Sequence, residues 1–128
     1  MAGWLELRGS YTGPAEVWSN GSKLFDVTVA LKGYVNVVHI RTIGWETDMD
    51  NTVSWDGILL GGMAKADQLR HLGQRLELHL PSGKVGNVHL VNTEDSLSGS
   101  RWPPFPITYR GVEISDESEI LPDPSGET

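Results

Sequence analysis

The chain has 128 residues, no cysteine and a formal net charge of −7. Without cysteine it forms no disulfide, no thiolate zinc site and no cysteine nucleophile, and its length suits one domain that buries a core without such staples. The acid is concentrated in residues 115–128, with Asp116, Glu117, Glu119, Asp123 and Glu127 and no Lys or Arg. Neither that tail nor the near-neutral body has the basic stripe that nucleic-acid binding requires.

Residues 1–10 hold Trp4, Leu5 and Leu7 ahead of Arg8-Gly9-Ser10, and read as a short first strand or an ordered arm. Tyr11–Trp18 reads as the next strand, interrupted early by Gly13-Pro14. Ser19-Asn20-Gly21-Ser22 is a hairpin signal. A bare two-residue turn there would put Glu16 on a face with Phe25 and Val27. A loop one residue longer pairs Val17 with Phe25 and Ala15 with Val27, which collects one apolar face and is the expected register. Lys23–Lys32 alternates cleanly, with Phe25, Val27, Val29 and Leu31 inward, and Gly33 is expected to end it.

Tyr34–Ile43 is apolar at both parities (Val35 and Val37; Val38 and Ile40), which predicts a strand covered on both sides. Gly44–Asn51 is expected to be an acidic loop carrying Trp45, Glu46, Asp48 and Asp50. Thr52–Leu60 is a strand closed by Gly61-Gly62. Met63–Leu72 is the one helical stretch, with Met63, Ala66 and Leu69 at helical spacing and Gly73 as a C-terminal cap. Gln74–Leu80 and Val85–Thr93 form a second hairpin, with Gly83 at the left-handed position, pairing Leu78 with Gly86 and Leu76 with Val88. Glu94–Ser100 reads as a polar loop, Trp102-Pro103-Pro104-Phe105-Pro106 as a stiff extended segment, and Ile107–Ile114 as a last strand. The pattern predicts an all-β fold, a small antiparallel barrel or sandwich of about seven or eight strands with one short helix. It spans residues 1–114, followed by a flexible acidic tail over 115–128.

Several of these residues also carry a resemblance. Tyr11-x-Gly13-Pro14-Ala15, Asn20-Gly21, Val27-x-Val29-x-Leu31-x-Gly33, Trp55-x-Gly57 and Pro103-Pro104-Phe105-Pro106 resemble an uncharacterised small β-domain. That domain is often fused to the C-terminus of actinobacterial flavin-dependent monooxygenases and is also found alone. The resemblance covers residues 9–107. It implies a small β fold and an accessory or binding role, and it brings no catalytic residues, since the family has no assigned activity. Val38–Asn51 is longer than the family's pattern, and the Trp4 arm and acidic tail lie outside it.

Candidate chemistry is sparse. His79 and His89 share a face in the expected register, and with His39 and Glu77 nearby in principle a metal site can be drawn, but the spacing does not converge three ligands as a metal needs, so solvated strand histidines are expected. His71 is expected to be exposed. Glu46, Asp48 and Asp50 lack the turn glycine and terminal bidentate Glu of a calcium loop. Asp56, between Trp55 and Gly57, would need a partner such as Arg41 or Arg101 if buried. There is no Gly-x-Ser-x-Gly, no P-loop and no dinucleotide fingerprint, so no enzyme and no cofactor are expected.

The five tryptophans are the best lead. Trp55 and Trp4 are read as core. Trp18, Trp45, Trp102 and Phe105 are read as ligand or partner contacts, because aromatic side chains at loop edges bury much area at low entropy cost. The expected function is a non-catalytic accessory or binding module, holding a small apolar ligand or a protein at a Trp-bearing rim. The alternative is a structural subunit of a larger assembly such as a phage particle, or a homo-oligomer, docked through the N-terminal arm and acidic tail. The start of the chain has no basic, apolar leader and no run reaches ~18 apolar residues, so a cytoplasmic location and no membrane partner are expected.

Overall fold

The computed structural model describes residues 2–120. Three long strands carry the chain: β1 (Ala2–Ser19), β2 (Ser22–Thr42) and β3 (Trp45–Gly61). A short helix, α1 (Lys65–Arg70), follows. After it come β4 (Leu76–His79), β5 (Val85–Leu90), β6 (Ser96–Ser100), and the small hairpin β7 (Ile107–Tyr109) and β8 (Val112–Ile114). Strands β1-β2-β3-β6-β5-β4 close into an antiparallel barrel, while β7 and β8 form a separate two-stranded sheet. The fold is all-β, and of the two expected architectures it is the barrel.

Both expected hairpin registers are present. Val17 pairs with Phe25 and Ala15 with Val27. The turn itself is only the two residues Asn20 and Gly21, at φ 52° and 80°. The extra residue is Leu24, bulged where Trp18 pairs with Lys23, and this bulge supplies the shift that a longer loop would have given. In the second hairpin Leu76 pairs with Val88 and Leu78 with Gly86, and Gly83 has φ 91°.

Other expectations are corrected. The N-terminal arm and the strand after it are one strand, because Gly13-Pro14 does not break β1. Strand β1 meets β4 only over Glu16–Trp18, so Pro14 lies where β2 is the sole neighbour and a missing N–H is tolerated. Gly33 does not end β2. It pairs with Gly9, and a Cβ there would come within 2.9 Å of the Ile107 side chain and 3.1 Å of Phe105. The acidic loop over 44–51 is strand, β3 starting at Trp45, and the polar loop over 94–100 contains β6. The last strand is a hairpin turned at Arg110-Gly111. Strand β2 beyond Gly33 is covered on one side only: Val35 and Val37 are buried, while Val38 and Ile40 are half-exposed. Within the expected tail, Glu117–Ile120 forms a 3-10 turn; residues 121–128 lie outside the described residues.

The interior is filled by side chains. Val17, Val29, Leu31, Leu76, Leu78 and Leu90 are each at most 1% exposed. Pro103, Pro104 and Phe105 are buried as well, and Phe105 meets Trp55 edge-on at 6.1 Å. Trp55 fits because β6 has Gly99 beneath it, where any Cβ would overlap the indole. Helix α1 docks differently from its apolar spacing: Leu69 is 64% exposed and Gln68 is fully buried. Gln68 Nε2 donates to Asp95 Oδ1 at 2.6 Å and its Oε1 accepts from the Asp95 N–H at 3.1 Å. Six helical residues are too few to hold themselves by propensity, and this paired hydrogen bond anchors them to the β5–β6 connection.

Candidate functional site

The three long strands extend beyond the barrel as a sheet made of β1 before Arg8, β2 after Tyr34 and β3 before Val53. Two bulges mark its base. On β1, Arg8 is the extra residue between the Leu7–Tyr34 and Gly9–Gly33 pairs. On β3, Asn51 and Thr52 stand opposite Asn36 alone. Each bulge advances its strand by one residue and so exchanges its two faces, while β2 keeps its parity. Within the barrel the odd-numbered residues of β1 and β3 point inward. Beyond the bulges Leu5, Leu7, Trp45 and Met49 are also odd-numbered, yet they are turned outward.

The outward face of this extension is therefore apolar. The cross-strand sets are Leu7 with Tyr34, Gly3 with Val38 and Met49, Ile40 with Thr47, and Thr42 with Trp45. Leu5 is 64% exposed, Leu7 56%, Trp45 54% and Met49 43%. No position on this face carries a charge. At the far tip Ile43 is wholly exposed beside Gly44, whose φ of 92° closes the β2–β3 turn. At the barrel end the apolar face stops at the Lys32–Asp56 pair next to Tyr34, and this pair, with Ala30, Ile58, Val91 and Leu97, lines a shallow groove of about 480 Å³.

On its inward face the extension keeps Val35 and Val37 of β2 buried, and the rest of that face is mostly polar. Arg8 grips Asp50 with two hydrogen bonds of 2.8 Å, a bidentate pair, and also donates to the Thr108 carbonyl at 3.0 Å. The Arg110 N–H donates to Asp50 at 2.6 Å, and the Tyr109 hydroxyl to the Asn51 carbonyl at 2.8 Å. The β7–β8 hairpin is thus fastened beneath the base of the extension. Arg8 holds the Asp50 carboxyl below its ordinary value, against the opposing effect of burial. Nearer the tip, His39 Nδ1 lies 2.7 Å from Asp48 and its Nε2 lies 3.3 Å from Glu46, which also accepts from Arg41 at 2.7 Å. Asp48 first, then Glu46, raises the pKa of His39.

The aromatic residues singled out from the sequence are dispersed. Trp45 lies on the outward face. Trp18 is half-buried on the far side of β1, stacked on His79 with ring centres 4.6 Å apart, and donates to Glu16 at 2.9 Å. Trp102 packs edge-on to Tyr109 at 5.8 Å, and its enclosed Nε1 has no hydrogen-bond partner among the described residues. Phe105, at 2% exposure, is in the barrel interior and forms no part of a rim. Trp55 is core as expected, whereas Trp4, read as core, is 40% exposed and donates to Glu6 at 2.7 Å.

The remaining polar candidates do not converge. His79 contacts Glu77 at 3.0 Å, and His89 is exposed opposite Ser98. Among the described residues no three ligating side chains come together as a metal would need. Asp56 is exposed opposite Lys32, so it needs no buried partner. His71 is half-buried rather than exposed, edge-on to Phe25 at 5.8 Å. Leu5, Leu7 and Met49, the bulk of the apolar face, were not legible as surface residues. The sequence places Leu5 and Leu7 only in a first strand or arm, and their outward turn depends on the bulge at Arg8.

Comparison with protein-family models, with curated proteins and with solved structures finds no match in any of the three. Among the described residues no helix is long and apolar enough to cross a membrane.

Proposed function

We propose that this chain is a non-catalytic interaction module that docks on a protein through the outward face of its three-stranded extension. The observation that carries the reading is the uncharged strip of Leu5, Leu7, Val38, Ile40, Met49 and Trp45 on a chain of net charge −7. A contiguous apolar face costs solubility and contributes nothing to the core, and such patches mark contact surfaces. The packed interior supports a partner outside the barrel over an apolar ligand within it. An accessory role of this kind accords with the small β-domain that the sequence resembles.

A photo-crosslinking amino acid at Leu5, in the full chain expressed in its own cells, tests the reading. A discrete protein adduct is expected, absent when the probe is placed at Ser82 on the exposed β4–β5 turn. Equal, diffuse labelling from both sites would overturn it.

A second reading, a subunit of a larger assembly, has its own support. Beyond its pairing with β4 over Glu16–Trp18, β1 has β2 on one side and no strand on the other among the described residues. An open edge of that length is a template for strand addition from a neighbouring subunit. Adducts in this case would form with an abundant particle protein and would also arise from probes along the β1 edge.

A further inference from the structure

We infer that the free edge of β3, from Glu46 to Asp50, takes an extended segment of another protein in which basic and apolar residues alternate, added to the extension as a further strand. This goes beyond the outward face. That face is a surface of side chains, whereas the edge is a row of backbone groups.

Strand β3 pairs with β6 only over Asp56–Ile58. From Trp45 to Trp55 it has β2 on one side and no strand on the other among the described residues. The turn decides which groups face the gap. Ile43-Gly44 is a two-residue turn, so Thr42 and Trp45 are its hydrogen-bonded closing pair. Antiparallel pairs alternate from there between bonded and non-bonded. Trp45, Thr47 and Met49 therefore direct their N–H and C=O to β2, and Glu46, Asp48 and Asp50 turn theirs to the open side. The Asp48 carbonyl is met only by the neighbouring Thr47 hydroxyl, at 3.4 Å, among the described residues.

The side chains of the same three residues select the segment. Glu46, Asp48 and Asp50 lie on the inward face, and their cationic partners are set back from the edge, Arg41 and His39 on β2 and Arg8 on β1. On that face the edge strand itself presents carboxylates alone from Glu46 to Asp50. An added residue opposite one of them has its side chain on the same face, with Cβ atoms about 5 Å apart, so an acid there is repelled and a Lys or Arg is attracted. The residues between reach the outward face beside Thr47 and Met49, where apolar side chains continue the uncharged strip. The alternation is the same whichever way the segment runs, because side chains change faces at every residue.

The inward side has room for long basic side chains. A cleft of about 580 Å³ separates this edge from the β7–β8 turn, lined by Arg8, Asp48, Asp50, Thr108, Arg110 and Gly111. Arg110 holds its guanidinium over the Tyr109 ring, 4.9 Å from its centre, and its N–H is bonded to Asp50. The position opposite Asp50 therefore suits an uncharged residue, and the basic ones belong opposite Asp48 and Glu46. The β3 edge of a second copy would set acids against acids. The β1 edge makes no such selection, since its inward residues Trp4, Glu6 and Arg8 mix signs, and the bulge at Arg8 and Pro14 interrupt its row of donors.

The test uses the full chain, isotope-labelled, with capped peptides of about six residues, a usual strand length. One alternates Lys and Val, one alternates Glu and Val, and one has the Lys residues in a block ahead of the Val residues. At saturating Lys–Val alternating peptide, amide hydrogen exchange should slow at least tenfold at Glu46, Asp48 and Asp50. It should change little at Trp45, Thr47 and Met49, which are already bonded to β2. Glu46→Lys with Asp48→Lys, at side chains 49% and 56% exposed, should lose that protection and gain it from the Glu–Val peptide. No slowing at the three amides of the unsubstituted chain overturns the inference, and so does equal slowing by the block peptide or by the Glu–Val peptide. These outcomes are separate from the Leu5 adduct, which reports on the outward face.

Discussion

The barrel and the extension are made from the same three strands with opposite dispositions. In the barrel, apolar residues of β1, β2 and β3 face inward and charged ones outward. In the extension β1 and β3 turn Leu5, Leu7 and Met49 outward and Arg8, Glu46, Asp48 and Asp50 inward, while β2 keeps Val35 and Val37 inward beside His39. One extra residue at Arg8 and one at Asn51-Thr52 accomplish the exchange. A strand's pattern alone does not say which face it buries. The bulges decide it, and the side that reaches solvent becomes the surface open to other molecules.

If this division is right, substitutions should cost stability in the barrel and very little on the outward face. Trp55→Ala empties the space between Gly99, Phe105 and the inner leucines. It should cost about 3–5 kcal/mol in chemical denaturation, the usual range for a large aromatic core truncation. The junction comes next. Arg8→Ala leaves Asp50, whose side chain is 11% exposed, without its bidentate partner, and about 2 kcal/mol is expected, less than for a fully enclosed pair. Because Asp50 titrates lower when folded, its contribution is present above the ordinary carboxylate value near 4 and is lost as pH falls through the lowered one. Arg8→Ala should therefore also flatten the acid limb of the stability profile, and an unchanged limb would show that the pair does not hold the extension.

On the outward face, Leu5→Thr and Met49→Thr remove large apolar groups from 64% and 43% exposed positions. They should change monomer stability by no more than about 0.5 kcal/mol. A loss near 2 kcal/mol would mean that these side chains are packed in the folded monomer, and the contrast between the two regions would disappear.

The sequence made much of the barrel legible and little of the extension. Both hairpin registers follow from burying one face of Lys23–Lys32 and from placing Gly83 at the left-handed position. Trp55 and the inward valines follow from alternation. What failed did so through long-range packing. Gly33 reads as a strand end, but it is the space that Phe105 and Ile107 occupy, and nothing local announces that. Leu69 reads as the docking residue of α1, but a helix of six residues is held through Gln68 and Asp95. Of the four predicted contact aromatics only Trp45 is on the apolar face, because a period-two pattern cannot show where a bulge reverses it.

The smallest expected effect concerns the charged underside. His39 is held between Asp48 and Glu46, which favour its protonated form. Its folded pKa is raised above the ordinary value near 6.5, so the stability it adds is fully present below that value and is lost as pH rises through the raised one. Followed by the shift of its ring proton, His39 should titrate above 6.5. Asp48→Asn should lower the midpoint only part of the way, because Glu46 remains, itself shared with Arg41. This titration also separates the two faces of the extension. The outward face carries no histidine, carboxylate, lysine or arginine, so association through it should be level in affinity across the His39 transition. An affinity that follows the His39 titration would place the contact on the charged underside instead.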